Sequence, residues 1–206
     1  MKYIFWDFNG TVLDDAYLCY EILNEMLIEE ERPIVTFDEY LMIFDFPVEA
    51  YYDKVYDLKK TSFEILAHRF IERYQPRSLE LALHEGVIDA IQHYEKKGFT
   101  NIMLSASEIN NLHRQLNHFK IEHLFDHILG TSDVYAKSKV AVAKRFIEEN
   151  EIDPKDVTMI GDTLHDVEVA HELGCEIILY TKGHQHKDRL KGYQSIDDMK
   201  ELYQII

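Results

Sequence analysis

The chain has 206 residues, 46% of them hydrophobic, which is enough to bury a core in one large domain or in a domain carrying an insert. Its 22 basic residues against 38 acidic ones give a formal net charge of −16, which argues against nucleic acid and anionic membrane surfaces as partners. No apolar run reaches the length of a membrane span, and two widely separated cysteines, Cys19 and Cys175, offer neither a disulfide framework nor a zinc site.

The start enters a strand pattern directly, without a signal peptide, so a cytoplasmic location is expected. Tyr3 to Trp6 is a short apolar and aromatic run, which predicts a buried parallel strand. It breaks off at Asp7-Phe8-Asn9-Gly10-Thr11. Ligands of open α/β sheets bind beyond the carboxyl ends of the strands, so Asp7 is placed for chemistry, and Gly10 permits a sharp exit and close backbone approach.

Leu18, Ile22, Leu23, Met26 and Leu27 then repeat at helical spacing, with Asp14 or Asp15 as the N-cap. Thr36 with Glu39 and Thr61 with Glu64 have capping-box spacing ahead of two further apolar patterns. Tyr51, Tyr52, Val55 and Leu58 predict a helix over 48–58. Residues 16–80 thus read as an all-helical insert whose aromatic stripes form its own core.

Beyond His84 the pattern alternates. Strands are predicted at 101–105, 127–129, 157–160 and Glu176–Tyr180, with helices between them and a terminal helix over 195–203. This implies an α/β fold, a Rossmann-like parallel sheet with helices on both faces. Lys182-Gly183-His184-Gln185-His186 reads as a solvated loop rather than a metal site.

Gly161-Asp162-Thr163-Leu164-His165-Asp166 sets two carboxylates four residues apart across a strand-to-helix turn. With Asp7 they make an all-oxygen site that favours magnesium over zinc. The plainer alternative is that Asp162 and Asp166 are an N-cap and a first-turn acid.

The order Asp-Phe-Asn-Gly-Thr, Leu104-Ser105, Lys139 before a helix, and Gly-Asp-Thr-Leu-His-Asp resembles the motifs of haloacid dehalogenase (HAD) superfamily hydrolases over the whole chain. The resemblance implies a HAD-like core of residues 1–15 and 81–206 with a helical cap at 16–80. It further implies a phosphoglycolate-phosphatase-like, Mg2+-dependent phosphohydrolase acting on a small phosphorylated metabolite, as a monomer or weak homodimer.

The roles follow residue by residue. Asp7 would be the nucleophile that forms an aspartyl-phosphate. Mg2+ would be held by Asp7, the backbone carbonyl of Asn9, and Asp162, with Asp166 orienting its waters. Ser105, Ala106, Gly10 and Thr11 would bind phosphoryl oxygens. Lys139 is favoured as the cationic clamp, with Lys137 as the alternative, and His165 is assigned no catalytic role.

One residue departs from the family pattern. Asn9 stands where these phosphatases usually have a second Asp, the acid and base of the reaction, whose help is typically worth about 100- to 10,000-fold. A slow phosphatase, one suited to good leaving groups such as acyl phosphates and acidic phenyl esters, or one drawing its proton from His165 or the cap is expected. Deamidation at Asn9-Gly10 would restore the Asp. The reading from another class is a binding or regulatory protein that has lost turnover. Specificity is expected from the cap, at Lys54, Lys59, Lys60, Arg69 and Phe46-Pro47.

Overall fold

A computed structural model describes residues 1–132 and 139–206, so Lys137 lies outside the described residues. The apolar runs pair as parallel strands β1 (Tyr3–Trp6), β2 (Thr100–Glu108), β3 (His127–Thr131), β4 (Val157–Gly161), β5 (Glu176–Tyr180) and β6 (Ser195–Ile196). Among the described residues their order is β3-β2-β1-β4-β5-β6. β1 lies inside the sheet, with Trp6 in register with Met103 on one side and Ile160 on the other.

Its continuous apolar sequence follows from having both faces covered. Ile4 and Trp6 pack with Ala90 and Ile91 of α5 (Val87–Lys96) and Leu112 and Leu116 of α6 (Ile109–His118). Phe5 packs the other way, with Ala143 and Phe146 of α7 (Val140–Glu149) and Val169 and Ala170 of α8 (Leu164–Leu173). Burying each of these large side chains stabilises the fold by about 2 kcal/mol relative to exposure.

Four helices lie between β1 and α5: α1 (Ala16–Glu29), α2 (Phe37–Ile43), α3 (Val48–Val55) and α4 (Phe63–Ser78). Their aromatic and aliphatic residues form a separate core around Ile22, Leu23, Tyr40, Tyr52 and Leu66. Glu21, Glu25 and Glu29, one row of α1, face Arg73 and Arg77 of α4 at 2.7–3.0 Å. Such exposed pairs orient the two helices more than they stabilise them.

The Thr36–Glu39 capping box is present at α2. The one expected at Thr61–Glu64 is not: Ser62 is the N-cap of α4, and the Thr61 hydroxyl donates to Glu30 at 2.7 Å. α3 ends before residue 58 because Tyr56 turns extended, buries its ring and donates to the Leu23 carbonyl at 3.3 Å. β2 runs past 105 to Glu108. The terminal segment is not one helix, because Gln194 and Ile196 accept bonds from the open edge of β5 before the short α9 (Leu202–Ile205) forms.

The chain crosses between sheet and helices on two segments that pair with each other. Asp14 N donates to Ala82 O at 3.1 Å and His84 N to Val12 O at 3.0 Å. The loop after β5 makes a further connection: His186 N donates to Leu41 O at 3.0 Å, Gln185 Nε2 to Phe44 O at 3.0 Å, and Arg189 pairs with Asp45 at 2.9 Å. Among the described residues no helix is long and apolar enough to cross a membrane.

Candidate active site

Asp7 is the first residue beyond β1, and its backbone N–H still bonds Ile160 of β4 at 2.8 Å. That fixes its carboxylate at the carboxyl edge of the sheet. Lys139, at the N-cap position of α7, is buried and donates to the Asp7 carboxylate. The same ammonium lies 2.7 Å from Asp166 Oδ1 and 3.3 Å from the Leu104 carbonyl.

Asp166 serves two structures at once. Its Oδ2 accepts from the backbone N–H of Asp162 and Thr163 and from the Thr163 hydroxyl, closing a capping box at the start of α8. The capping reading of this motif is therefore correct for one oxygen of Asp166, while the other faces Lys139. Asp162 accepts from the Thr11 hydroxyl at 3.0 Å and from His184 N at 2.7 Å. Gly10 has φ +78°, and a Cβ there would sit 2.3 Å from an Asp162 oxygen. Gly183 approaches the same oxygen from the other side, where a Cβ would lie 2.2 Å away.

Charge is unbalanced here. Asp7, Asp162 and Asp166 each offer an oxygen within 4.8 Å of the others, against one ammonium. Burial, reinforced by Asp166 and Asp162 and opposed by Lys139, pushes the Asp7 carboxyl well above the usual range. Burial and Asp166 raise Asp162 to about 6 even though His184 opposes them. Asp166 is buried too, yet Lys139 holds it below the usual range. Lys139 in turn is raised: burial disfavours its charge, and the two carboxylates overcome that. An oxygen-only, net-negative pocket of this kind fits a hard divalent cation such as magnesium.

Asn9 points away from any acid–base task. Its Nδ2 donates to Asp15 Oδ2 and meets the Tyr74 hydroxyl, each at 2.7 Å, while its Oδ1 accepts from the Ser107 hydroxyl at 2.9 Å. Held at both ends, the amide is ill-placed for the backbone attack that deamidation requires.

Asp15 occupies the N-cap position of α1 but makes no capping bond. It is buried, and accepts instead from Gly10 N at 2.8 Å, Tyr74 Oη at 2.6 Å and His184 Nε2 at 3.0 Å. The loop carrying His184 is not solvated either. His184 and Gln185 are 3% and 1% exposed, and His184 stacks on Phe44 at 4.6 Å while its Nδ1 bonds Tyr40 Oη at 2.7 Å. Burial works against the imidazolium, but Asp15 and Asp162 hold it up to about 9. The ion pair also keeps the buried Asp15 below the usual carboxylate range. Cys19 Sγ lies 3.9 Å from Asp15, with its thiol pushed up by burial, so these residues form a hydrogen-bonded network.

Ser105, inside β2, is buried and accepts from Ser107 N at 3.1 Å. Ser105 and Ala106 line, with Asp7, a cavity of about 160 Å³ whose other walls come from α3, α4 and the Phe44–Phe46 turn. His165 also lines it, buried and stacked on Phe46 at 4.6 Å. Of the cap residues expected to set specificity, Phe46 reaches this cavity. Lys54, Lys59 and Lys60 are exposed on the surface, and Arg69 binds Glu30 at 2.7 Å.

A family model described as haloacid dehalogenase-like hydrolase matches residues 4–180. The chain belongs to the haloacid dehalogenase-like hydrolases. Within that family it is 20% identical to a phosphoglycolate phosphatase of Aliivibrio fischeri, over 100% of this chain and 96% of the relative. A phosphoglycolate phosphatase of Haemophilus influenzae is 23% identical over 60% of this chain and 57% of its own length. Among solved structures, a predicted phosphatase from Clostridium acetobutylicum superposes with TM-score 0.83 at 20% identity, covering 99% of this chain and 97% of that one. A haloacid dehalogenase-like hydrolase from Streptococcus pneumoniae gives TM-score 0.83 at 18% identity over 100% and 98%. These likenesses establish the shared fold of core and helices.

Proposed function

We propose that the protein is a magnesium-dependent phosphohydrolase working through Asp7, with residues 1–15 and 81–206 as its catalytic core and 16–80 as a cap. The observation that carries this reading is the Asp7–Lys139–Asp166 chain at the carboxyl edge of β1, beside Asp162. Asp7 attacks phosphorus, the bond to the leaving oxygen breaks with its electron pair, and water then hydrolyses the aspartyl-phosphate. Lys139 keeps its proton on Nζ and favours the Asp7 anion against the burial that raises its carboxyl, and a carboxylate nucleophile needs no separate base.

Asp7, the Asn9 carbonyl and Asp162 would hold Mg2+, with Asp166 beside it. When bound, the cation neutralises charge on the phosphoryl oxygens. Ser105 and the backbone N–H of Ala106 bind those oxygens, whereas the expected N–H groups of Gly10 and Thr11 are already given to Asp15 and to the Phe8 carbonyl. Asn9 cannot protonate the leaving group, so turnover favours esters and anhydrides whose oxygen departs unprotonated.

The test is phosphate release from acyl and ester phosphates with and without magnesium. Release that needs magnesium and disappears in Asp7→Asn supports the reading. One observation favours a second reading: the Asn9 amide is tied at both ends, as suits a binding protein without turnover. That reading predicts magnesium-dependent binding of phosphate analogues with no release from any substrate.

A further inference from the structure

Ser107, Asn111, Gln115 and His165 give the cavity polar lining, but the part contributed by residues 46–71 is mostly apolar. Phe46, Val48, Phe63, Phe70 and Ile71 line it, and the one acid that joins them near β2, Glu108, is already the cap of α6. Among the described residues the only Lys or Arg on the lining is Lys139, and Asp7 and Asp166 hold it. His184 is taken by Asp15, and the Tyr74 hydroxyl donates to the same carboxylate.

A substrate whose leaving group carries a carboxylate would bury that charge with no Lys or Arg of the described residues free to meet it, and beside Glu108. Such burial is strongly disfavoured. An aromatic ring meets the opposite situation. The cavity of about 160 Å³ also has to take the phosphoryl group beside Asp7 and Ser105, so it leaves room for no more than one small ring, which alone fills roughly 150 Å³ in an apolar cavity.

We infer that the protein hydrolyses phosphate monoesters of small aromatic alcohols, and that Phe46, Phe70 and Ile71 select the ring while excluding carboxylated phosphates such as phosphoglycolate. The inference rests on the phosphohydrolase reading and completes it. Aromatic alcohols with the hydroxyl on the ring, the phenols, are acidic enough to leave as anions, the one leaving-group property that Asn9 in place of an acid demands. The pocket and the missing acid thus point to one class of ester. In the reaction, the bond between phosphorus and the ring oxygen breaks, the phenolate leaves with the electron pair, and solvent protonates it.

The experiment compares phenyl phosphate with phosphoglycolate at equal magnesium, in the parent and in Ile71→Lys. In parallel, calorimetry with magnesium compares binding of phenylphosphonate and 3-phosphonopropionate, which cannot be hydrolysed. Phenyl phosphate is expected to be preferred in kcat/KM by about 100-fold, the scale of discrimination in an apolar pocket. Phenylphosphonate is expected to bind the more tightly, and Ile71→Lys to shrink both preferences at least tenfold.

Equal or reversed preference in the parent overturns the inference. If Asp7→Asn still abolishes that turnover, the phosphohydrolase reading stands without it. If the parent turns over neither ester, that reading falls, and the calorimetric order alone decides the selectivity of the pocket. Calorimetry on the parent also decides it should Ile71→Lys fail to fold.

Discussion

Asn9 donates its side-chain amide to Asp15 Oδ2 at 2.7 Å, inside the turn that follows β1. The two residues are complementary as a pair, and the family's usual acid would destroy that complementarity. Asn9→Asp places a half-buried carboxylate against the buried one of Asp15, so it is expected to destabilise the fold by about 2 kcal/mol rather than restore a fast enzyme. Exchanging the pair, Asn9→Asp with Asp15→Asn, returns one charge to the site. Urea unfolding of both singles and the double is expected to give a favourable coupling of at least about 1 kcal/mol. Additive effects would sink the argument.

Lys139 offsets two buried carboxylates at once. Lys139→Met leaves both uncompensated, with an expected stability loss of about 3 kcal/mol and a fall in kcat of about 100-fold or more. Without the ammonium the carboxyl of Asp7 ionises only at higher pH. The acidic limb of the residual pH–rate profile should therefore move upward, a shift that simple loss of packing does not produce.

The Asp15–His184 pair makes stability depend on pH in a definite direction. His184 has its ordinary value near 6.5 when unfolded and about 9 in the fold. Its contribution, about 3 kcal/mol, is complete below pH 6.5 and is lost as pH rises through 9. Urea midpoints at pH 6 and 9 should differ accordingly, and His184→Gln should flatten the difference. A parent whose midpoints coincide would refute the pair's contribution.

Metal-free protein carries a second pH dependence of the same sign. Asp162 rises from 3.8 to about 6 on folding, so ionising it costs stability as pH climbs through that window. On the proposed reading magnesium would remove the cost by binding the ionised form. Its stabilisation, about 2.7 kcal/mol at a hundredfold excess over Kd, should be present at pH 8 and largely absent at pH 5. Melting shifts at the two pH values read this directly. Equal shifts would mean that the carboxylates are not the ligands.

Much of the core was legible because its determinants are local. The run Tyr3–Trp6, the Gly174 stop of α8 and the capping box of α2 all lie within one element. The structure brings Asp7, Lys139, Asp162 and Asp166 together, and each sits where a strand or helix pattern breaks. Asp15 and His184 were missed: both look like surface residues locally, and what buries them is a contact between residues 169 positions apart. The doubled acid Asp14-Asp15 was the sole local hint, since only one of two can cap a helix. Lys54 on α3, and Lys59 and Lys60 in the turn beyond it, lie on the surface, because positive charge says nothing about which side of an element a residue faces.

The helices over the site are held to the sheet at three places besides the side-chain contacts at Tyr40, Phe46, Tyr74, Gln75 and Ser78. Two are the paired chain crossings near Leu13 and Leu83, which together resemble a swivel. The third is the contact of Gln185, His186 and Arg189 with residues 41–45, which is non-covalent and sits on the loop that also carries His184. A swivel with a catch admits and discharges its contents only when the catch lets go. The dwell time of product is then written in a few hydrogen bonds far along the chain from Asp7. Loss of a pre-steady-state burst in Arg189→Ala, with the chemical step unchanged, is how that timing would surface.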